Sequence, residues 1–331
     1  MRVAVIGAGI GGLVGAGLTL FDNAFGALDT FGLGETVRQV SSDAIARMRA
    51  GQRVPSGDWL VSMPSAMVPT LRSLHRVELH RALIDALLAG SLRLGYSAAV
   101  TADGEPVVTV AGTDERFDLV IAADGLRGVT SAGVDVQGKA GETWGRGQLF
   151  GIVPLPDERV YWFSTESTAA GQRAEDERQT VRERFEVWHP PIQACIDGTP
   201  ADAVLRHDIY DLARIPASFV KGRTVLLGDA AHGMTPNLGQ GAGQAIEDAA
   251  TLTLLLRQSG RPDVDAVLAR YSALRRKRTQ AIWRQSRLMG KVAQLSNPVG
   301  AGLRDALLRA TPLAFMARAT QSIQQWTEPK R

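Results

Sequence analysis

The 331-residue sequence has a single cysteine, Cys195. One thiol cannot build an intrachain disulfide, so a reducing cytosol suits the chain best. Nothing near Cys195 in sequence would activate it, and it reads as an ordinary packed or surface residue. Charge bias is also small. The 37 Lys and Arg against 34 Asp and Glu leave a net +3, which gives no reason to expect nucleic acid as a partner. No uninterrupted apolar run reaches about 18 residues, so no membrane-spanning helix is expected. The apolar start, Val3 to Ile6, breaks into glycines, which suits a buried strand rather than a secretory leader. Five histidines are scattered without ligand spacing, so no metal centre is expected. There is no internal repeat and no low-complexity segment.

What is present is apolar substance and clustered glycine. Hydrophobic residues make up 45% and charged residues 21%, enough for a sizeable core and against wholesale disorder. Short apolar runs lead into glycine loops near residues 6, 123 and 227. Residues 129–206 read as an antiparallel insert, with strands over 148–154 and 159–164. Residues 51–69 read as irregular. Helical spacing is predicted over 23–40, 76–88, 173–188 and 240–256, and helices dominate from Val264 onward.

Four runs carry chemistry. The first, Val3-Ala4-Val5-Ile6-Gly7-Ala8-Gly9-Ile10-Gly11-Gly12, contains a dinucleotide fingerprint. Gly7 permits the tight turn, Gly9 lets a pyrophosphate approach the backbone, and Gly12 allows close helix–strand packing. The second runs from Arg223 to Ala249. A strand ends at Gly228-Asp229, and a loop holding Pro236, Gly239, Gln240 and Gly241 opens a helix. A carboxylate at the carboxyl end of a strand is placed to accept a hydrogen bond from a ligand hydroxyl. The small residues let a flat ring approach, and the helix N-terminus favours negative charge on it. The third is Leu119-Val120-Ile121-Ala122-Ala123-Asp124-Gly125, a buried strand ending in a turn. The fourth is His75-Arg76-Val77-Glu78-Leu79-His80-Arg81.

These four runs together resemble the flavoprotein aromatic hydroxylases, the family of salicylate, hydroxybenzoate and ubiquinone-pathway hydroxylases. The resemblance spans residue 2 to about residue 290 and includes the blocks Gly15–Ala24 and Trp144–Gly147. It implies an α/β fold: a Rossmann-like FAD-binding domain (1–50, 70–128 and 207–290), an inserted antiparallel-sheet substrate domain (51–69 and 129–206) and C-terminal helices (291–331). It implies FAD held by Gly7, Gly9, Gly11, Gly12, Asp124, Gly125, Gly228 and Asp229, with Asp229 on the ribityl chain. Pro236, Gly239, Gln240 and Gly241 would lie beside the flavin ring. An arginine of the fourth run would reach the phosphates, Arg81 before Arg76. The implied reaction is a cytoplasmic NAD(P)H-dependent monooxygenation of a small aromatic or polyketide-like molecule through a flavin hydroperoxide. A flavin epoxidase or reductase acting on an isoprenoid shares the same motifs. For a catalytic base the candidates are His232, His207 and Tyr210, with structural roles set beside each. The basic stretch Arg275–Arg278, with Arg284, Arg287 and Lys291, reads as the solvated face of a helix, while Trp283 and Met289 read as core.

The sequence departs from the family at two places. A dinucleotide fold places a helix, a second strand and a ribose-binding acid within roughly 20 residues of the glycines. Here Gly12 is followed by Leu13-Val14 and at once by the Gly15 block. Asp22 stands near that distance but belongs to the later block. The arginine-bearing helix after Asp124-Gly125 is also missing. Either segments of the parent protein are absent from this sequence, which the intact flanking blocks favour, or the protein has lost them. In the second case it is a remnant with impaired FAD binding.

Overall fold

The computed structural model describes residues 1–7, 17–63, 70–101, 103–123, 131–132, 134–258 and 263–330. Four sheets organise them. The first holds β1 (Val3–Ile6), β10 (Leu119–Ala122), β16 (Thr224–Leu226) and β15 (Val220–Lys221), in that spatial order. β1, β10 and β16 run parallel, as the three apolar runs that lead into glycine loops require.

Parallel strands are ordinarily covered on both faces, and β10 obeys, with Leu119 and Val120 fully buried. β1 does not. It stands at the edge of the sheet, and Val5 is 61% exposed. The helix and second strand missing from the sequence are the parts that would flank it.

The second sheet is the largest, in the order β11 (Ser131–Ala132), β14 (Arg159–Glu166), β13 (Gln148–Pro154), β12 (Lys139–Trp144), β4 (Arg49–Arg53) and β5 (Trp59–Met63). It is antiparallel except where β4 runs parallel to β12. The stretch read as irregular after residue 51 is therefore partly a hairpin of β4 and β5. Its polar, glycine-containing sequence hides a strand whose order comes from pairing with β12 and from a register shift at Gln52/Arg53. Two smaller sheets complete the set: β2 (Gly17–Leu20), β6 (Arg72–His75) and β3 (Ser41–Ser42), then β7 (Ala98–Val100), β8 (Val107–Val110) and β9 (Thr113–Arg116).

The helices follow the apolar spacing with two corrections. The predicted helix over 23–40 is two, α1 (Asp22–Asp29) and α2 (Gly34–Gln39), separated where Gly32 adopts φ +73°. The charged stretch after Arg173 forms a short exposed helix, α5 (Glu177–Arg184), whose buried residues Phe185 and Trp188 come after its end. Between them lie α3 (Ala44–Arg47) and α4 (Arg76–Asp85). α6 (Ile192–Asp197), α7 (Asp229–His232), α8 (Gly241–Gln258), α9 (Val264–Ala293), α10 (Pro298–Ala310) and α11 (Leu313–Gln324) follow. No helix among the described residues is long and apolar enough to cross a membrane.

Three cores result. Leu119, Phe219, Val225 and Leu252 pack with Leu268 and Tyr271 between the parallel sheet and α8/α9. Leu20, Phe25, Leu74, Leu79 and Ile246 join α1, β2, β6, α4 and α8. Phe150, Ile152 and Trp162 pack on Phe185, Trp188 and Ile192, on the outer face of the large sheet. Cys195 belongs to this third core, where burial pushes its thiol up to about 12, so it stays protonated and inert.

α9 ties the body together. At about 1.5 Å per residue its 30 residues reach from the parallel sheet, through Leu268 and Tyr271, to the inner face of the large sheet. There Met289, Val292 and Ala293 meet Trp144, Leu149 and Phe163.

The contrast between β10 and β1 can be measured. Leu119→Ala should cost about 2–5 kcal/mol, whereas Val5→Thr should stay within about 0.5 kcal/mol. Urea unfolding of the two variants checks this, and a large loss for Val5→Thr would show that β1 is covered.

Candidate active site

The site is assembled at the carboxyl ends of the parallel strands, where ligands of open α/β sheets bind. β16 ends and Gly228 turns the chain with φ +62°. Asp229 then starts α7. The loop continues through Pro236, and Gly239 adopts the left-handed conformation, φ +62°, that a residue with a Cβ resists. Gly239 sits against Thr19 and Phe21, so β2 supports the loop from below. Gln240 is buried, and Gly241 opens α8 beside the Asp229 carboxylate, whose Oδ1 lies 4.0 Å from where a Cβ on Gly241 would stand. The first amides of α8 have no intrahelical acceptor and offer a positive helix end there.

Across from the loop stand Arg76 and Tyr161. Arg76 begins α4, whose N-terminus is capped by His75 Nδ1 accepting from Val77 N–H at 3.3 Å. The Arg76 Nε is enclosed and has no hydrogen-bond partner. Burial lowers its pKa, and the charge of Asp229 acts against that. Burial in turn raises the Asp229 carboxyl, opposed by His232 and Arg76. No ion pair among the described residues joins Arg76 to Asp229. A cation and an anion thus face one cleft, each with capacity to spare. Tyr161 packs over Gly17, and burial pushes its phenol up to about 12, so it stays neutral.

The two arginines of the fourth run therefore part company. Arg76 points inward, while Arg81, the sequence's first choice, is 65% exposed and pairs with Glu78 at 3.3 Å. One helical turn separates inside from outside, a difference that an undivided charged run does not disclose.

The three candidate bases fare differently from one another. His232 is fully buried, its Nε2 lies 2.6 Å from Asp248 Oδ2, and its Nδ1 is enclosed without a partner. It is positioned to brace the loop and has no open route to a ligand. Tyr210 is 65% exposed and donates to Asp208 at 3.2 Å. His207 is also exposed, in a stretch without regular structure. The structure brings neither to the cleft. Gly7 stands at the end of β1 with φ +96°; Gly9, Gly11, Gly12, Asp124 and Gly125 lie outside the described residues.

Beneath the loop is a network that sequence reasoning missed. Arg275, only 2% exposed, donates Nε to Asp248 Oδ1 at 2.5 Å and Nη1 to Glu247 Oε2 at 2.5 Å. Its Nη2 donates to Gln244 Oε1 at 2.8 Å. Asp248 Oδ2 also accepts the Gly228 amide at 2.9 Å. Asn23 donates to Gln240 Oε1 at 3.0 Å and Glu247 Oε1 at 2.7 Å, and Arg278 pairs with Glu247 at 2.6 Å. The basic stretch read as solvated is thus partly interior: Arg275 and Arg278 balance two buried carboxylates. Burial alone would raise the Asp248 carboxyl, but His232 and Arg275 hold it below the ordinary range. Glu247 and Asp248 stood in the loop-and-helix motif; the signal for Arg275 was a helix pairing that only tertiary structure supplies.

A groove of about 700 Å³ beside Arg2, Asp118 and Arg223 lies at the other ends of the same strands. It is remote from these groups and from the sheet's ligand edge.

Comparison with known proteins shows the family. Residues 145–286 match the model of an FAD binding domain. The chain is 34% identical to the aurachin C monooxygenase/isomerase of Stigmatella aurantiaca, over 89% of this chain and 84% of that one. It is 30% identical to the 2-heptyl-3-hydroxy-4(1H)-quinolone synthase of Pseudomonas aeruginosa, over 94% and 88%. The chain belongs to the FAD-dependent monooxygenases. The fold of this monooxygenase also superposes on that of Klebsiella pneumoniae HpxO complexed with FAD and uric acid, with a TM-score of 0.83, 22% identity, and 98% and 96% coverage. The alignment with the Pseudomonas enzyme runs over 348 positions, more than this monooxygenase has residues. That relative therefore holds segments with no counterpart here.

FAD is the cofactor of this family and NAD(P)H its usual reductant. The cleft fits the flavin end of FAD. Asp229 offers an acceptor for chain hydroxyls, the orphaned Arg76 Nε offers a donor to phosphate, and the start of α8 meets the ring.

Replacing Arg275 by Met leaves two carboxylates buried without their cation, so it should cost about 3–5 kcal/mol in urea unfolding. The depressed Asp248 carboxyl contributes stability that is present above the ordinary carboxylate pKa. It is lost as pH falls through the folded value, below about 4. An acid titration of unfolding should accordingly be flatter in Asp248→Asn than in the unaltered chain.

Proposed function

We propose that this chain hydroxylates a small electron-rich aromatic molecule, with nitrogen heterocycles of the quinolone kind as the favoured class, using NAD(P)H and O2 in the cytoplasm. The observation that carries the reading is the placing of the unpaired Arg76 Nε within electrostatic reach of Asp229, beside Tyr161 of the large sheet. The substrate class draws on the name of the Pseudomonas aeruginosa relative, a 2-heptyl-3-hydroxy-4(1H)-quinolone synthase. Residues 1–50, 70–128 and 207–290 would serve the cofactor, 51–69 and 129–206 the substrate, and 291–331 would cover their junction.

Bound FAD supplies the redox chemistry: it takes a hydride and activates oxygen. The chain's own residues do the rest. Asp229 accepts hydrogen bonds from hydroxyls of the cofactor chain. Arg76 neutralises phosphate. The α8 N-terminus stabilises negative charge on the ring, and Gly239 with Gln240 shapes the surface beneath it. Tyr161 and Phe163, with ring centres 5.6 Å apart, form an apolar wall that excludes water from the reacting face. Oxygen transfer to an electron-rich ring carbon requires a proton to leave that carbon afterwards, and none of the three sequence candidates is placed to take it.

A second reading, a family member with impaired FAD binding, draws on the bare edge of β1. The visible spectrum of the desalted chain after incubation with FAD separates the two. Retained flavin bands, followed by NAD(P)H oxidation with hydroxylated product, support the enzyme; a colourless chain supports the second reading. If the flavin is retained, Arg76→Ala should weaken FAD binding by on the order of tenfold or more, while Arg81→Ala should leave it unchanged. Equal effects from the two would overturn the assignment of Arg76.

A further inference from the structure

The large sheet has two faces, and they differ in chemistry. On the outer face Thr143, Phe150, Ile152 and Trp162 lie over the aromatic core of Phe185 and Trp188. Alternation along a strand sends the neighbouring residues to the other side. That inner face carries Tyr161 and Phe163, whose rings adjoin each other, and Tyr161 neighbours Arg76 of the cofactor cleft. Across the strands Glu142 of β12 pairs with Gly151 of β13, and Gly151 pairs with Phe163 of β14. The Phe163 ring lies so close over Gly151 that a Cβ there would fall 2.2 Å from it. The missing side chain lets the ring settle next to Glu142.

Glu142 is the anomaly of this face. Its Oε2 accepts from the indole N–H of Trp144 at 2.7 Å. Its Oε1 accepts no hydrogen bond among the described residues, and it is not among the sealed polar atoms. No cation among the described residues pairs with it. Burial raises its pKa, and the Trp144 hydrogen bond only partly opposes this. A half-buried carboxylate with one oxygen held and the other open, beside aromatic rings and without a counter-ion, is costly unless something donates to it.

We propose that Glu142 is the specificity-determining residue of the reaction: its open oxygen accepts the hydrogen of a neutral ring N–H or O–H and so orients the ring over the cofactor. This rests on the monooxygenase reading and deepens it. Trp144 fixes the direction of the carboxylate. Trp144 is itself anchored by Leu149 and Ala293 and by Arg304, whose guanidinium lies 5.6 Å from its ring centre. The same negative charge repels substrates that bring a carboxylate of their own, so a neutral heterocycle is selected over a benzoate.

The test uses the full chain in the presence of FAD, with two probes, 4(1H)-quinolone and its N-methyl analogue, which has no ring donor. Binding is followed by tryptophan fluorescence, for which Trp144 is the reporting neighbour. The unaltered chain should prefer the N–H probe by at least about tenfold, the range of a hydrogen bond to a charged group. Glu142→Ala should abolish that preference without loss of bound FAD. Glu142→Gln, which keeps the shape and one acceptor, should retain part of it and should bind salicylate better than the unaltered chain does. An unchanged preference in Glu142→Ala overturns the proposal, as does loss of flavin from both variants, which would make Glu142 a structural residue. If the chain discriminates between the probes but forms no hydroxylated product, the recognition role stands and the monooxygenase reading falls.

Discussion

The constraint on which the site depends is the enclosure of two carboxylates, Glu247 and Asp248, beneath a loop of small residues punctuated by glycine and proline. Such a loop has little side-chain packing with which to hold a shape. Asp248 supplies it by binding the Gly228 amide and the His232 ring at the loop's start. Glu247 does so by meeting Asn23 and Gln244 near the loop's end. The cost of burying two negative charges falls on Arg275 and Arg278 of α9. Buried ion pairs contribute little net stability compared with apolar packing, but removing one partner is severe. What the network secures is a single loop geometry, and with it the position of Asp229.

This explains which parts of the molecule could be read in advance. The parallel strands were legible because Val3–Ile6, Leu119–Ala122 and Thr224–Leu226 are short apolar runs ending in turn residues. The Asp229 loop was legible because its glycines, proline and carboxylate form one contiguous motif. Arg275 was not. In sequence it belongs to a run of four basic residues, and such runs usually face water; only the packing of α9 on α8 sets Arg275 opposite Glu247 and Asp248. The same limit separated Arg76 from Arg81 and hid β4, whose order comes from a partner some 90 residues away along the chain. Contiguous chemistry is visible in one dimension, whereas long-range pairing is not.

The bare edge of β1 is the structural trace of the sequence's first departure from its family. Val3 and Val5 have the composition of a strand covered on both sides and the exposure of one that is not. Apolar side chains left in water forgo about 1.5–3 kcal/mol each relative to full burial. An open edge also presents unpaired backbone groups.

That loss need not spread to the flavin end of the cleft, and the topology shows why. Among the described residues β1 is bonded only to β10 within its sheet. Tyr161 comes from the large sheet, Arg76 follows β6 in a separate three-stranded sheet, and Asp229 follows β16, which is held by β10 on one side and β15 on the other. The loop's internal bracing comes from α1, α8 and α9. Among the described residues, none of these supports comes from β1. On the proposed reading, the ring-side and adenosine-side contacts of the cofactor would thus rest on largely separate parts of the fold. A change beside β1 would then weaken affinity through the second set while leaving the geometry of the first intact, so affinity for FAD and chemistry at the ring would be separable properties of this chain.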